Sequence, residues 1–392
     1  MPRIRARKIA TTVVVLVMCF LMISNIKDAI SVQSNMDHGE SSSNYQIYEL
    51  QPQQGEQKKQ KHQQQQKQQH QKQQGLNVNT LLADDSESAK DDILKTCKIT
   101  HNCSEWFANS LEDNLRTISM YPRSNLSDFS ELEAPQKNDT SFPVIVTSAS
   151  RGFFGSMQGL LRSVYDFVVP KYQDVQVVVY DMGLTTDQVA QVNKYCDICT
   201  VRLFNFSRYP PHVSHLKKYA WKPIMIQEAL KEFSWVWWMD SSARIKTTDI
   251  DPALQYSIDN SILFFTYGQI LNVARHTDVR TMLYLNEDTC KYRYFGEIEA
   301  GFVLFHFDGV TKTIVDSWCA CALTEQCISP PGAKLSCNSH EHKDGECHRF
   351  DQSVLSIILR RLFHHCNDYP LVREPLRIHD IRRGKSIRFF PD

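Results

Sequence analysis

From Phe142 onward, apolar and polar positions alternate in blocks that switch period between two and 3.6 residues. The stretch "FPVIVTSAS" predicts a buried strand over 143–147, and "FGSMQGLLRSVYDFV" places Met157, Leu160, Leu161, Val164 and Phe167 on one face of a helix. "DVQVVVYD" predicts a second strand ending at Asp181. "TTDQVAQVNKY" predicts a helix opened by Thr and Asp at cap positions. "CTVRLFNF" follows as a third strand, and "AWKPIMIQEALKEF" as a helix that tolerates Pro223 in its first turn. "WVWWMD", "SILFFTYG" and "GFVLFHF" predict strands four to six, and "FDQSVLSIILRRLF" a late helix. Strands that alternate with helices and are apolar on both faces predict an α/β domain with a mostly parallel central sheet covered on each side. The roughly 250 residues from 142 to 392 suffice for one sizeable core.

The pattern before this domain is different. Residues 9–26, "IATTVVVLVMCFLMISNI", form an apolar run of about 18 residues, near the lower limit for spanning a bilayer. Arg3, Arg5, Arg7 and Lys8 precede it, which predicts a cytosolic tail (1–8), a transmembrane signal anchor (9–26) and a lumenal remainder, a single-pass type II arrangement. A cleaved signal peptide is the alternative; against it, no A-x-A-like site follows the run. Residues 51–74 are mostly glutamine broken by Lys and His, with almost nothing apolar to offset the entropy of ordering. They predict a low-complexity stalk, extended here over 27–141, with short helices within it around 106–115.

Composition adds compartment rather than partner. Lys plus Arg and Asp plus Glu both number 44, so net charge points to no nucleic acid, and nucleic-acid motifs are absent. Sequons stand at Asn102, Asn125, Asn138 and Asn205, all on the side expected to be lumenal. Eleven of the 12 cysteines follow the anchor, a density that predicts disulfides in an oxidising compartment. The odd number leaves one thiol free or paired between chains, with Cys97 and Cys103 as candidates for a disulfide-linked homodimer. The run from Cys319 to His348 holds five cysteines and three histidines. Zinc is one reading of it, but the spacing lacks repeated C-x2-C pairs, and a disulfide-stapled insertion over 319–347 fits an oxidising lumen. "CDIC" (196–199) has redox spacing but lies between a helix and a strand, which predicts a structural disulfide from it to another position.

Candidate chemistry centres on Asp240, where the greasy fourth strand ends. In open α/β sheets a residue just past a strand's carboxyl end faces the ligand crevice, although an Asp there also serves simply to cap a turn.

"WVWWMDSSARI" resembles the strand of GT-A glycosyltransferases that ends in D-x-D, in the form seen in plant and fungal Golgi galactosyl- and xylosyltransferases. "EIEAGFVLFHFDG" (297–309), "HRFDQSVLS" (348–356) and, more loosely, "IHDIRRGKS" (378–386) resemble later blocks of that family in order. The combination "KKYAWKP", "WMDSSARI" and "CHRFDQS" resembles most an animal family of type II lumenal proteins. The resemblance implies a Golgi-membrane nucleotide-diphospho-sugar transferase moving a sugar from a nucleotide-sugar donor to a glycan or protein acceptor. It implies metal ligation by Asp240, Ser242 and His379 with Mn²⁺ or Mg²⁺. It implies donor binding by Thr147, Ser148, Arg151, Lys222, Arg244, Gly301, Arg383 and Lys385, and catalysis from Asp351, Gln352, Glu297 and Glu299. Each has a plainer reading: a Ser-rich turn after the first strand, a surface lysine cluster beside a docked Trp221, an exposed strand-end Glu297, a helix-capping Asp351.

One departure stands out. The family's second acidic ligand is Ser242 here, and a neutral hydroxyl in place of a carboxylate weakens a site for a hard divalent ion. Three outcomes remain open at this level: a weakened metal site, a metal-free site in which Lys222, Arg244, Arg383 and Lys385 neutralise the diphosphate, or a lumenal glycan- or nucleotide-binding protein that no longer transfers.

Overall fold

The structure, a computed structural model, describes residues 107–108, 110–123, 129–136, 141–267, 271–337, 343–364 and 377–391. The expected anchor, the glutamine tract, Asn102, Asn125, Asn138, Cys97 and Cys103 lie outside these residues. Among the described residues no helix is long and apolar enough to cross a membrane.

The first described helix, α1 (Leu111–Ser119), is capped by Ser110, whose hydroxyl accepts from the Asp113 amide at 3.1 Å. It corrects the stalk boundary at 141. Phe107, Ile118, Tyr121 and Leu132 are buried in the main core, because this amphipathic segment can remove its apolar face from water only against the domain. Tyr121 also donates to Glu287 at 2.5 Å, a carboxylate that Arg361 holds from the other side.

Beyond it the chain alternates as the periodicity predicts. β1 (Val144–Ala149) leads into α2 (Phe154–Phe167), β2 (Val177–Asp181) into α3 (Thr186–Tyr195), β3 (Cys199–Leu203) into α4 (Trp221–Glu232), and β4 (Trp235–Met239) into the short β5 (Ala243–Ile245). Then come α5 (Asp251–Asn260), β6 (Ile262–Leu263), α6 (Val279–Tyr284), β7 (Phe302–His306), α7 (Gly309–Ala322), α8 (Glu325–Ile328), α9 (Asp351–Leu362) and β8 (His379–Ile381). Thr185 and Gln188 close a reciprocal capping box on α3, the signal visible in "TTDQ".

Six strands line up as β3-β2-β1-β4-β7-β6 among the described residues. All run one way except β7, which is antiparallel to β4 and β6. Alternate side chains feed two cores. Val144, Val146, Val236 and Trp238 face one with α4, α7 and α9, while Ile145, Val177, Val179, Trp237 and Leu304 face the other with α2 and α5. Both faces are therefore buried, the reason the strands read as continuous apolar runs. The expected fifth strand shortens to two residues, and its continuation makes only a bridge between Thr266 and Ile298.

The cysteines correct two expectations. Cys196 pairs with Cys199 itself rather than with a distant position. The insertion starts later than residue 319, since Cys319 to Ala322 finish α7 in the core, where Cys319 is a buried free thiol. Cys321–Cys327 and Cys337–Cys347 are disulfides, as the stapled reading of that stretch expects.

Candidate functional site

The carboxyl edge of the parallel strands carries an ion triad. β4 ends at Asp240, where the backbone turns sharply: the Ala243 amide donates to the Asp240 carbonyl at 2.8 Å. The turn is thus closed by main chain, and the Asp240 carboxylate is left to accept from Trp238 Nε1 at 2.9 Å and to meet Lys222 Nζ at 3.0 Å. Lys222 stands in the first turn of α4 and is 3% exposed. Its ammonium also lies 2.7 Å from Asp351 Oδ2, off the direction of a regular hydrogen bond, and 3.4 Å from the Ala300 carbonyl. Rings of Tyr219, Trp221 and Trp238 surround it at 5.8 to 6.0 Å.

Asp351 is the first residue of α9 rather than its cap, which is Phe350, so the capping reading fails and the carboxylate points at the lysine. Burial raises its pKa from 3.8 to about 6 against the opposing pull of Lys222. Burial lowers the Lys222 pKa, yet Asp240 and Asp351 together override it and hold the ammonium protonated. Asp240 is the exposed end of the triad, its side chain 32% accessible beside 5% for Asp351.

Backbone strain marks the same spot. Tyr219 and Phe350 adopt φ of 54° and 49°, values that β-carbon residues rarely take, and their rings lie 6.3 Å apart beside the triad. Gly301 is needed for a different reason: a Cβ there would lie 2.8 Å from Asp240 Oδ2, so only glycine leaves room for this carboxylate. The donor-binding expectation for Gly301 is better stated as making space for Asp240.

A second cluster sits on the segment leading into β7. Glu297 and Glu299 are 0% and 2% exposed, which removes the exposed strand-end reading. Extended backbone places both side chains on one side, and α9 holds the segment through Arg360 to the Gly296 carbonyl and Ser356 to the Ile298 amide. Glu297 pairs with His276 at 2.6 Å, with Arg349 3.8 Å away. Glu299 takes His379 Nε2 at 2.6 Å and Arg377 at 3.4 Å.

Glu299, Arg377, Tyr267, Asp380, Ile381, Arg382 and Arg383 line an open cavity of about 520 Å³. Arg383 is close enough to affect both phenols: it opposes the upward shift that burial and Asp351 impose on Tyr219, and the one that burial and Glu299 impose on Tyr267, which reaches about 12. The loop after β8 thus lines the Glu299 cavity and, through the Arg382 amide on the Ser242 carbonyl, lies beside the turn that follows Asp240.

The other expected residues fall into place unevenly. Arg383 and Lys385 are exposed on that loop. Arg244 is turned inward, its Nη1 donating to the Ser241 and Ala243 carbonyls and its Nη2 to the Lys385 carbonyl at 3.2 Å. It crosses α2 at Gly159, where any Cβ would overlap the guanidinium, so it ties the tail to the sheet instead of facing a ligand. Thr147 is buried with its hydroxyl unpartnered, Ser148 is buried on the opposite face of β1, and Arg151 is exposed with its amide bonded to Gly183. Gln352 is buried with Nε2 unpartnered. Lys217 is exposed and Lys218 pairs with Glu325, so of the three lysines in "KKYAWKP" only Lys222 enters the site, walled by Tyr219 and Trp221. Asn205 is exposed and accepts from the Ser207 amide.

The residues proposed for a metal do not make a divalent site. Asp240 already faces an ammonium, and Ser242 gives its carbonyl to the Arg382 amide. His379 is fully buried, stacked on Phe302 at 3.6 Å, with Nε2 on Glu299 and Nδ1 enclosed without a partner. Among the described residues the one cluster of metal-ligating groups is His276 with Cys337 and Cys347, whose sulfurs are already joined to each other. Tyr219, Tyr267, His276, Arg349 and Arg377 were not singled out from sequence. Tyr219 and Arg349 lay inside quoted motifs and Tyr267 inside a predicted strand; His276 and Arg377 carried no local signal.

A family model described as "Protein of unknown function (DUF1647)" matches residues 98–227, a stretch that contains Lys222 and stops before β4. No curated protein matches the sequence. Among solved structures, the apo WbbM bifunctional glycosyltransferase is 12% identical, with a TM-score of 0.34 over 54% of this chain and 39% of its own, so this chain spans well under half of that protein. The galactosyltransferase LgtC with donor and acceptor sugar analogues is 14% identical, with a TM-score of 0.33 over 56% and 70%. The mannosyltransferase Ktr4p from S. cerevisiae in complex with GDP is 9% identical, with a TM-score of 0.35 over 70% and 82%.

Proposed function

We propose that this chain is a nucleotide-sugar-dependent glycosyltransferase, held in the Golgi membrane by its N-terminal apolar run and acting in the lumen on a glycan or glycoprotein. The observation that carries the proposal is the meeting of Asp240, Lys222 and Asp351, from three separate blocks of the sequence resemblance, at the carboxyl edge of the sheet under an arginine-bearing loop.

In this reading the sugar lies against Asp240 and Glu299, and the diphosphate beneath Arg383 and Lys385. The acceptor oxygen forms a bond to the anomeric carbon as the bond to the diphosphate oxygen breaks, its electron pair leaving with the phosphate. Arg383 and Lys385 meet that developing charge, since guanidinium and ammonium groups match phosphate oxygens. The acceptor proton passes to Asp240, the triad carboxylate that reaches solvent. Glu297 and Glu299, each bonded to a buried histidine, position the edge of the cleft.

The test is release of nucleoside diphosphate by the full-length chain from a panel of nucleotide-sugars. One sugar nucleotide is expected to be consumed, and Asp240→Asn to slow it about 100-fold or more with the fold intact. A folded chain that neither binds nor consumes any nucleotide-sugar would leave a lumenal binding protein instead.

A further inference from the structure

We infer that Lys222 is a built-in cation occupying the place a divalent ion would take at the end of β4, so that the donor site works without metal. The nucleotide part of this inference rests on the transferase reading above; the cation part does not.

Three features of the site converge on it. First, the charge that a strand-end carboxylate needs is already present: the ammonium sits 3.0 Å from Asp240 and 2.7 Å from Asp351. Second, it is fixed there. It is 3% exposed, contacts the Ala300 carbonyl at 3.4 Å as well as both carboxylates, and is walled by Tyr219, Trp221 and Trp238. The ammonium donates to Asp240 and to the Ala300 carbonyl and forms a close ion pair with Asp351. Third, the additional ligands a metal would require are elsewhere. Residue 242 is a neutral serine, and His379 is buried with Nε2 on Glu299 and its ring face covered by Phe302, which leaves Nδ1 as its one unpartnered nitrogen. An incoming divalent ion would meet like charge on one side and too few anionic oxygens on the other, and ligand charge is what tunes affinity for hard cations. Because Lys222 is saturated by its own carboxylates, the phosphates fall to the exposed Arg383 and Lys385 overhead.

The experiment titrates Mn²⁺ alone into the full-length chain and follows the free ion by its paramagnetic resonance. Wild type and Asp240→Asn are expected to bind it indistinguishably weakly; a bound ion that Asp240→Asn abolishes would overturn the inference. The double variant Lys222→Met/Ser242→Asp removes the ammonium and restores the second carboxylate, and is expected to bind Mn²⁺ about tenfold or more tightly than wild type. No gain in that variant, with its fold confirmed by circular dichroism, would count against the proposal. Should it not fold, Ser242→Asp alone decides: with Lys222 in place it is expected to gain nothing, and a gain would overturn the inference. For the nucleotide, equal affinity for the preferred sugar nucleotide in Mn²⁺ and in chelator is expected, and a requirement for Mn²⁺ would refute metal independence. Failure to bind any nucleotide defeats the transferase reading, while the Mn²⁺ titrations still judge the lysine.

Discussion

Asp351→Asn isolates the buried half of the triad. In the folded chain, burial lifts this carboxyl from its ordinary 3.8 to about 6, although Lys222 pulls the other way. The folded state therefore holds the proton more tightly than the unfolded chain does. Below pH about 4 both states are protonated and the group is neutral in the balance; as pH rises toward 6 the unfolded chain ionises first and stability is lost; above the folded value the loss is complete. The gap between 3.8 and about 6, at about 1.36 kcal/mol per pH unit, amounts to about 3 kcal/mol. Asparagine keeps the shape and does not titrate. The difference in unfolding free energy between variant and wild type should therefore shift in the variant's favour by about 3 kcal/mol between pH about 4 and about 7. Chemical denaturation at a series of pH values, followed by tryptophan fluorescence, measures it. Parallel profiles would refute the reasoning, and a shift of opposite sign would mean that the ion pair with Lys222 outweighs burial.

The remaining expectations are simpler. Gly301→Ala places a methyl group 2.8 Å from Asp240 Oδ2, so sugar-nucleotide turnover should fall sharply while the melting temperature changes little, as kinetics beside a thermal melt would show. Gly159→Ala forces Arg244 off the helix it crosses and should cost about 1–3 kcal/mol, the usual range for overpacking, read from the denaturation midpoint. A chain begun at Glu131 loses the buried side chains of Phe107, Ile118 and Tyr121 and should be less stable than one begun at Gly75 by about 3–6 kcal/mol or more, from about 1.5–3 each for Phe107 and Ile118 alone; equal stability would restore the stalk boundary at 141. Tyr121→Phe removes the hydroxyl that meets Glu287 and should cost about 1–3 kcal/mol in the same assay.

Much of the sheet was legible because its strands are buried on both faces and its helices are amphipathic. Val144 to Ala149, Trp235 to Met239 and the face of α2 all announce themselves by period alone. A helix near α1 was expected, but its docking on the domain was hidden because it lies in a polar segment whose few apolar residues acquire meaning only against α7 and α9. The shortness of β6 was hidden too, since "SILFFTYG" has strand composition throughout and only the course of its neighbour decides how much of it pairs. Within the site, Asp240, Asp351 and Glu299 were found through motif likeness, as were Lys222 and His379, but the pairings among them were not. The pairing of Lys222 with Asp351 spans two distant segments, so no local pattern foretells it. The inward turn of Arg244 was equally invisible, because its ligands are backbone carbonyls, which leave no mark in sequence.

That inward turn has a consequence for how this sequence can change over time. Gly159 and Arg244 compete for one volume, so an alanine at 159 must push the Arg244 guanidinium out of the place it now holds. A shorter residue at 244 would release the Lys385 carbonyl and the tail it anchors. Among relatives of this chain, the two positions should therefore vary together, and the loop that carries Arg383 should vary in length where they do.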